Sequence, residues 1–252
     1  MKTVITHFYN EEYLLPWWLE HHKKYFDFGV MIDYASTDDS VAIIKETCPH
    51  WQVLPSGNAE FDASLCDHEI MFVERQITGW RIALTTTEFL VGNLDKLMTD
   101  TPERAQWKIP GIRFTEWDPS GYLDPSKVLW EQLHTGISYR SDPIAHQCRS
   151  LHNFNDLEYS PGRHFMPFNT EDALVFHYAH CIVGEPMLKR RLQIQHRISA
   201  YDKAHGLGQH HYFGHGPTGI GMDVDSLHNM QVNWLSKNSE DCQNLIDMVT
   251  KT

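Results

Sequence analysis

The sequence predicts an α/β fold in which a mostly parallel sheet is flanked by helices. Short apolar runs that suit buried strands alternate four times with segments whose apolar residues recur at helical spacing. The best defined unit spans residues 29–49, where a strand ends at Asp33, an acidic turn follows, and a helix begins near Asp39 and ends at Pro49. Open α/β sheets bind ligands at the carboxyl ends of their strands, so Asp33 is a candidate binding residue.

The remaining units of the first half follow the same order. Residues 3–8 form a β-branched first strand, and a helix is expected from Leu15, with Pro16 in its first turn. His21 and His22 on this helix are expected at its surface. The further elements are a strand at 51–54, a turn at 55–58, a helix at 62–78 and a strand at 79–84.

The second half is less regular and reads as a C-terminal extension. Pro110 and Gly111 bend the strand predicted at 107–117 or confine it to a sheet edge. The other predictions are a loop at 118–126, a strand at 173–177, a basic amphipathic helix at 186–201, a Gly-rich loop at 205–221 and a closing helix at 233–249. The segment 128–137 fits a helix or an extended piece, and the pattern does not decide between them.

Composition excludes several classes of protein. A chain of 252 residues with 41% hydrophobic and 21% charged residues suits a globular protein of either one elaborated domain or two. The formal charge of −12 disfavours nucleic-acid binding. There is no apolar run of 18 residues, so no transmembrane segment is expected, and the N-terminus lacks signal-peptide features. Five cysteines without a CxxC pair fit a reducing, cytoplasmic location.

Three motifs, taken together, carry a family resemblance. Asn10 and Glu11 follow the first strand, IDYASTDDS follows the second, and WRIALTTTEFL contains the fourth. This order resembles the GT-A glycosyltransferases, in particular the family 2-like and family 92-like enzymes. The resemblance covers about residues 1–95, which would form the nucleotide-binding half of a single GT-A-like domain, with the acceptor half at 96–252. RSLHNF, YSPGRHF, LVFHY and KRRLQIQ extend it more loosely.

The resemblance implies a Rossmann-like fold that binds a nucleotide-sugar donor and a carbohydrate acceptor. Asn10 would border the donor base, and Asp33 would accept a hydrogen bond from base or ribose. Asp38 or Asp39 would hold the loop, while Trp80 would pack beneath the site. The donor-binding residues implied in this way are Asn10, Glu12, Asp33, Ser36, Asp38, Thr87, Arg163, Lys189 and Arg190.

The sequence departs from the family at the metal-binding motif. Two aspartates of a D-x-D motif bind a divalent cation in those families, and Thr85 and Thr87 stand at these positions here. A neutral hydroxyl does not replace a carboxylate for a hard cation. Either Glu88 and His177 hold Mn or Mg, or no metal is required and basic residues neutralise the diphosphate. We favour the second version, with Lys189, Arg190, Arg191 and Arg163 as the cations.

Glycosyl transfer with inversion needs a carboxylate that takes the acceptor proton. Glu116 and Asp118 are the first candidates, because Trp117 between them suits sugar stacking. Glu171 and Asp172 are the second pair. Their TED string resembles the base motif of family 2 enzymes, although here it precedes a strand.

Two other functions stay open. The loss of the D-x-D motif is also consistent with a catalytically inactive relative that binds a nucleotide or glycan. The His-rich loop is a possible metal site, a lid over the donor or a plain surface loop, and in the first case the chain would be a metalloenzyme of another kind. The histidines concerned are His205, His210, His211 and His215.

Overall fold

A computed structural model gives the fold as two sheets with helices packed against them. The residues it describes are 1–99, 103–116, 123–141, 148–165, 167–179, 181, 189–190, 192–207 and 239–251. The expectations for Asp118, Arg191, His210, His211 and His215 therefore lie outside the described residues. None of the described helices is long and apolar enough to cross a membrane.

The first sheet has six strands and contains the strand–helix units predicted from the sequence. Its strands lie in the order β3-β2-β1-β4-β9-β6, with bounds β1 Lys2–Phe8, β2 Phe28–Asp33, β3 Gln52–Pro55, β4 Trp80–Ala83, β6 Gln106–Ile109 and β9 Arg149–His152. The four strands from β3 to β4 are parallel, and β9 and β6 are added antiparallel. Two strands from beyond residue 95 thus complete the sheet.

Three helices cover the parallel strands where the sequence predicts them. They are α1 Leu15–His22, α2 Ser40–Thr47 and α3 Ala63–Glu74, followed by the short α4 Leu94–Leu97. Pro16 lies in the first turn of α1, as expected. The Asp62 side chain caps α3 by accepting the Leu65 N–H.

The second sheet is mostly antiparallel, so the expected parallel character holds only for the first four strands. Its order is β11-β8-β7-β10-β5, with bounds β5 Glu88–Gly92, β7 Gly111–Phe114, β8 Thr135–Ser138, β10 Ala173–His177 and β11 Glu240–Asp241. Only β7 and β10 pair in parallel. The chain closes with α5 Ala200–His205 and α6 Gln243–Thr250.

Pro110 separates two strands that belong to different sheets. The predicted single strand at 107–117 is β6 before Pro110 and β7 after it. Proline has no N–H to give to a ladder, so the strand changes partners at this residue. The undecided segment at 128–137 is a 3-10 turn, Leu129–Glu131, followed by β8.

Two local predictions are wrong. His21 and His22 are buried, because they face β5 and an aromatic cluster. The basic segment at 186–201 is not one helix in its described part. After a 3-10 turn, Gln195–Arg197, Ile198 bridges to Phe61, and α5 begins anew with Ser199 as its N-cap.

Candidate functional site

The candidate site lies at the switch point of the first sheet. The chain proceeds from β1 outward to β2 and β3, then returns to place β4 on the other side of β1. At such a point the loops after neighbouring strands turn away from each other and leave a crevice at their carboxyl ends. The segments that follow β1, β2 and β4 border this crevice.

Asn10 ties the turn after β1 to the turn after β2. Its side-chain oxygen accepts the Thr37 N–H at 2.7 Å and the Asp38 N–H at 3.3 Å, and its own N–H donates to Ser36 Oγ at 3.0 Å. Asn10 has φ 51°, and Ala35 in the neighbouring turn has φ 59°. Left-handed backbone in non-glycine residues is concentrated at functional sites, so these turns deserve a functional hypothesis.

The carboxylates of these turns have distinct surroundings. Asp33 Oδ1 accepts the Ser36 N–H at 2.8 Å, and among the described residues Oδ2 accepts no hydrogen bond. Asp38 Oδ2 accepts the Glu12 N–H at 3.1 Å, while Glu12 Oε2 accepts the Asp39 N–H at 3.2 Å. Asp38 and Glu12 therefore join the turns after β1 and β2, which form the rim of the crevice. Half-buried Asp33 retains an oxygen that can accept a hydrogen bond from a ligand.

The turn after β4 is built around buried Glu88. Glu88 Oε2 accepts the Thr85 N–H at 2.8 Å and Arg149 Nε at 3.0 Å, while Oε1 accepts Arg149 Nε at 2.9 Å and Nη2 at 2.7 Å. Burial alone would raise the pKa of Glu88, but the Arg149 guanidinium and His177 lower it to about 2. Glu88 is thus ionised at neutral pH and paired with the Arg149 guanidinium.

The residue set that the family resemblance implies for a metal does not fit one. Two donors approach each Glu88 oxygen, which takes up the lone-pair directions that a cation needs. Thr85 Oγ1 and Thr87 Oγ1 lie 2.9 Å apart and bond to each other. Across the described part of the chain, no group of three acidic, histidine or cysteine side chains is arranged to hold a metal ion.

His177 lies opposite Glu88 in the β10–β5 pair and beside Arg113 of β7. Burial and the positive charges of Arg113, Arg149 and Arg190 together lower the pKa of His177 to about 3, against the influence of Glu88. The imidazole is therefore neutral at pH 7, and the surrounding positive charges oppose the approach of a dication.

The basic segment lies against the turn after β1, at the carboxyl end of the parallel strands. Its side chains bind carboxylates and carbonyls of that turn. Arg190 Nε donates to Glu11 Oε2, and Lys189 lies 4.0 Å from Glu12. Gln193 Nε2 donates to the Tyr9 and Asn10 carbonyls at 3.1 and 2.8 Å. The Arg197 guanidinium stacks over the Tyr9 ring at 4.3 Å. Gln193, Arg197 and Tyr9 were not predicted from the sequence to belong to the site.

Arg163 is held apart from the basic segment by a buried ion pair. Its Nη1 donates to Asp67 Oδ1 at 2.6 Å, and its backbone has φ 58°. The Arg163 and Gly162 carbonyls both accept from Arg149 Nη1, so the loop that carries Arg163 is tied through Arg149 to Glu88. Arg163 is 8% exposed, which leaves little of its surface for a phosphate.

The candidate bases that lie within the described residues are at opposite ends of the second sheet. Glu116 follows β7 at the edge near His177, but its Oε2 accepts the His134 and Thr135 N–H groups. Asp172 precedes β10, five residues from His177 and so roughly 17 Å away along an extended strand. Its carboxylate pairs with Lys96 at 2.8 Å.

Two residues expected near the donor lie away from the crevice. Asp172 is at the end of β10 remote from Glu88, and Trp80 begins β4 beside Lys2, at the amino end of the parallel strands. Strand direction therefore contradicts two expectations: Trp80 does not lie beneath the crevice, and Asp172 does not lie within it. Both assignments relied on local motifs, which do not specify the end of a sheet at which a residue lies.

Arg149 is the main site residue that sequence reasoning missed. It opens β9, whose four residues are all buried. A charged residue at the start of a fully buried strand must find a partner, and this was the available signal. Its partner was not predictable, because Glu88 lies 61 residues earlier in the chain.

His205 is the one member of the His-rich loop that lies within the described residues. Its Nδ1 donates to the Tyr201 carbonyl at 2.9 Å, and its ring stacks on Tyr201 at 4.0 Å. These contacts close the last turn of α5. They give His205 a local structural role, and the proposed metal or lid function of the loop stays a prediction.

Comparison with known proteins finds partial structural similarity only. No family model matches the chain, and no curated protein matches it significantly. A crystal structure of S. aureus TarS matches with a TM-score of 0.30 and 19% identity over 36% of this chain and 17% of that one. TarS 1–349 in complex with UDP-GlcNAc gives 0.31 and 16%, over 49% and 37% of the two chains. This chain thus spans well under half of either TarS chain, and at these scores the similarity assigns neither fold nor function.

Proposed function

We propose that this chain is a glycosyltransferase that moves a sugar from a nucleotide-sugar donor to a glycan or other hydroxyl acceptor. One observation carries the proposal. The polar turns after β1, β2 and β4 converge at the switch point of a parallel sheet, with Asp33 Oδ2 without a hydrogen bond among the described residues and with two non-glycine residues in left-handed conformation. The motifs of these same turns carry the resemblance to GT-A enzymes.

The chemistry of the rim suits the parts of such a donor. A carboxylate oxygen at Asp33 accepts hydrogen bonds from a ribose hydroxyl or a base N–H. The Tyr9 ring, stacked on Arg197, offers a planar surface of the kind that stacks on a nucleobase. Arg190 and Lys189 lie at the same edge, where positive charge favours a departing diphosphate.

A second function, nucleotide binding without sugar transfer, is favoured by the state of Glu116. Its Oε2 accepts two backbone N–H groups, which take up both lone-pair directions of that oxygen and leave it no position for an acceptor hydroxyl. Transfer then depends on the other candidate base, Asp118, outside the described residues. The two functions share the donor site and differ only in turnover.

A thermal-shift panel of UDP, GDP, CDP and dTDP tests the donor site. A ligand at a hundred times its dissociation constant adds about 2.7 kcal/mol, or roughly 5–10 °C for a chain of this length. We expect one nucleotide to produce such a shift, and Asp33→Asn to remove it while keeping the Ser36 contact through the amide oxygen. Asp172→Asn is the matched control, since it removes the same charge at the remote end of β10.

The shift of the control should equal that of the wild type. An Asp33→Asn variant that binds as tightly as the wild type would rule out the assignment of the crevice. Incubation with the nucleotide-sugar donor that contains the selected nucleotide then separates the two functions. Release of the nucleoside diphosphate indicates transfer or hydrolysis, and tight binding without release indicates a binding protein.

A further inference from the structure

The turn after β4 contains its own cation, the guanidinium of Arg149. Arg149 is 5% exposed and Glu88 is 4% exposed, and the two side chains meet through both carboxylate oxygens. A buried carboxylate requires a positive partner, which here is a side chain of the neighbouring strand β9. The negative charge of Glu88 is therefore cancelled before any ligand arrives.

The guanidinium is also fixed in orientation. Its Nη1 donates to the Gly162 and Arg163 carbonyls, the latter at 3.0 Å, and its Nε and Nη2 donate to Glu88. Three of its nitrogen atoms thus have partners in two segments of the chain. Moving Arg149 aside to admit a metal ion would leave the Gly162 and Arg163 carbonyls without this donor and the guanidinium without its carboxylate.

The neighbouring groups give a cation no compensation. The Thr85 and Thr87 hydroxyls are bonded to each other, and His177 lies among the positive charges of Arg113, Arg149 and Arg190. A diphosphate, by contrast, is attracted by this set of charges. The turn therefore favours the anion and disfavours the dication.

We infer that Arg149 is a positioning residue that neutralises Glu88 in place of a metal ion, so that this chain binds a nucleoside diphosphate without a divalent cation. This inference rests on the proposed function. Arg149 lies outside the basic segment, and the metal independence of nucleotide binding then depends on its ion pair with Glu88.

The test is calorimetric titration of UDP, GDP, CDP and dTDP in EDTA and in excess MnCl₂. For the wild type, we expect one nucleotide to bind with dissociation constants that agree within about twofold in the two conditions. Binding that manganese strengthens about tenfold or more overturns the inference and leaves the proposed function standing. If no nucleotide binds in either condition, the proposed function fails and the inference fails with it.

A pair of variants separates charge neutralisation from a merely structural role. Arg149→Gln leaves Glu88 charged beside the diphosphate, so we expect binding in EDTA to weaken about tenfold and manganese to restore much of it. Glu88→Gln/Arg149→Gln removes both charges, so it should bind more tightly in EDTA than Arg149→Gln does, and its affinity should not change with manganese. Circular dichroism checks that each variant is folded.

Equal weakening in both variants, unchanged by manganese, overturns the inference, because it assigns Arg149 to structure alone. If Arg149→Gln does not fold, the double variant and the wild type decide. A double variant whose binding does not depend on manganese supports the inference, and one whose binding manganese strengthens about tenfold overturns it.

Discussion

Two buried glutamates, one at each end of the parallel strands, have pKa values shifted in opposite directions. Glu88 lies at the carboxyl end, next to the crevice, and Glu74 ends α3 at the amino end. Burial raises the pKa of both. Arg149 and His177 nevertheless lower the pKa of Glu88 to about 2, whereas the pKa of Glu74 rises to about 7.

The difference lies in where the nearby guanidinium points. Arg149 donates directly to both oxygens of Glu88, whereas Arg81 donates to the Glu74 and Gly79 carbonyls and to Asn155. Among the described residues, the Glu74 carboxyl accepts a hydrogen bond only from the Tyr159 hydroxyl, at 2.7 Å, and it lies 3.8 Å from His152. Proximity of a positive charge is therefore less decisive than bidentate contact, which offsets desolvation.

The largest expected effect is at the carboxyl end. Arg149→Met leaves Glu88 buried without its partner, and breaking such a pair costs about 3–5 kcal/mol of the free energy of unfolding. Urea unfolding at pH 7 measures the loss. Glu88→Gln/Arg149→Met should be more stable than Arg149→Met alone, because it contains no unpaired charge. A single variant within about 1 kcal/mol of the wild type would show that the pair contributes little.

At the amino end, Glu74→Gln should stabilise the protein at alkaline pH. The folded pKa of Glu74, about 7, lies above its ordinary value of 4.5, so its contribution is fully present below 4.5 and is lost as pH rises through 7. At pH 8 we expect the variant to gain on the order of 2 kcal/mol over the wild type. The gain should vanish at pH 4.5, and a pH-independent difference would contradict the raised pKa.

A smaller effect is expected between the two ends, at His21 on α1. Burial lowers the pKa of His21 to about 4, although its Nε2 hydrogen bond to the Leu90 carbonyl opposes the change. In the unfolded chain His21 binds a proton below pH 6.5, whereas in the folded chain it stays neutral until about pH 4. The contribution of His21 to stability is therefore complete above pH 6.5 and falls as the pH drops toward 4. Between pH 7.5 and 5.5, the free energy of unfolding of His21→Gln should fall by about 1 kcal/mol less than that of the wild type. Urea unfolding at the two pH values measures this difference.

The smallest effect concerns the exposed pair of Lys96 and Asp172. Its side chains are 60% and 41% exposed, and pairs of this kind contribute roughly 0–1 kcal/mol. Asp172→Asn should therefore change the free energy of unfolding by less than about 1 kcal/mol. It should also leave nucleotide affinity unchanged, and a loss of turnover in this variant would return Asp172 to the list of candidate bases.

Much of the fold was predictable because its signals are local. The strand that ends at Asp33, the start of α2 near Asp39 and the bend at Pro110 follow from apolar spacing, an acidic turn and a missing N–H within a few residues. The carboxyl-end turns with Asn10, Asp33 and Asp38 were predictable for the same reason. The burial of His21 and His22 was not, because it depends on β5 and on Trp130, far along the chain.

The amino-acid sequence by itself determined the parallel strand–helix units and the polar residues that follow them. The tertiary structure decided which charges meet: Glu88 pairs with Arg149 across 61 residues, Asp67 with Arg163 across 96, and Glu11 with Arg190 across 179. Backbone preferences act over one or two turns, whereas an ion pair needs two distant segments in register. For this reason the crevice is visible in the sequence, and its electrostatics are visible only in the folded chain.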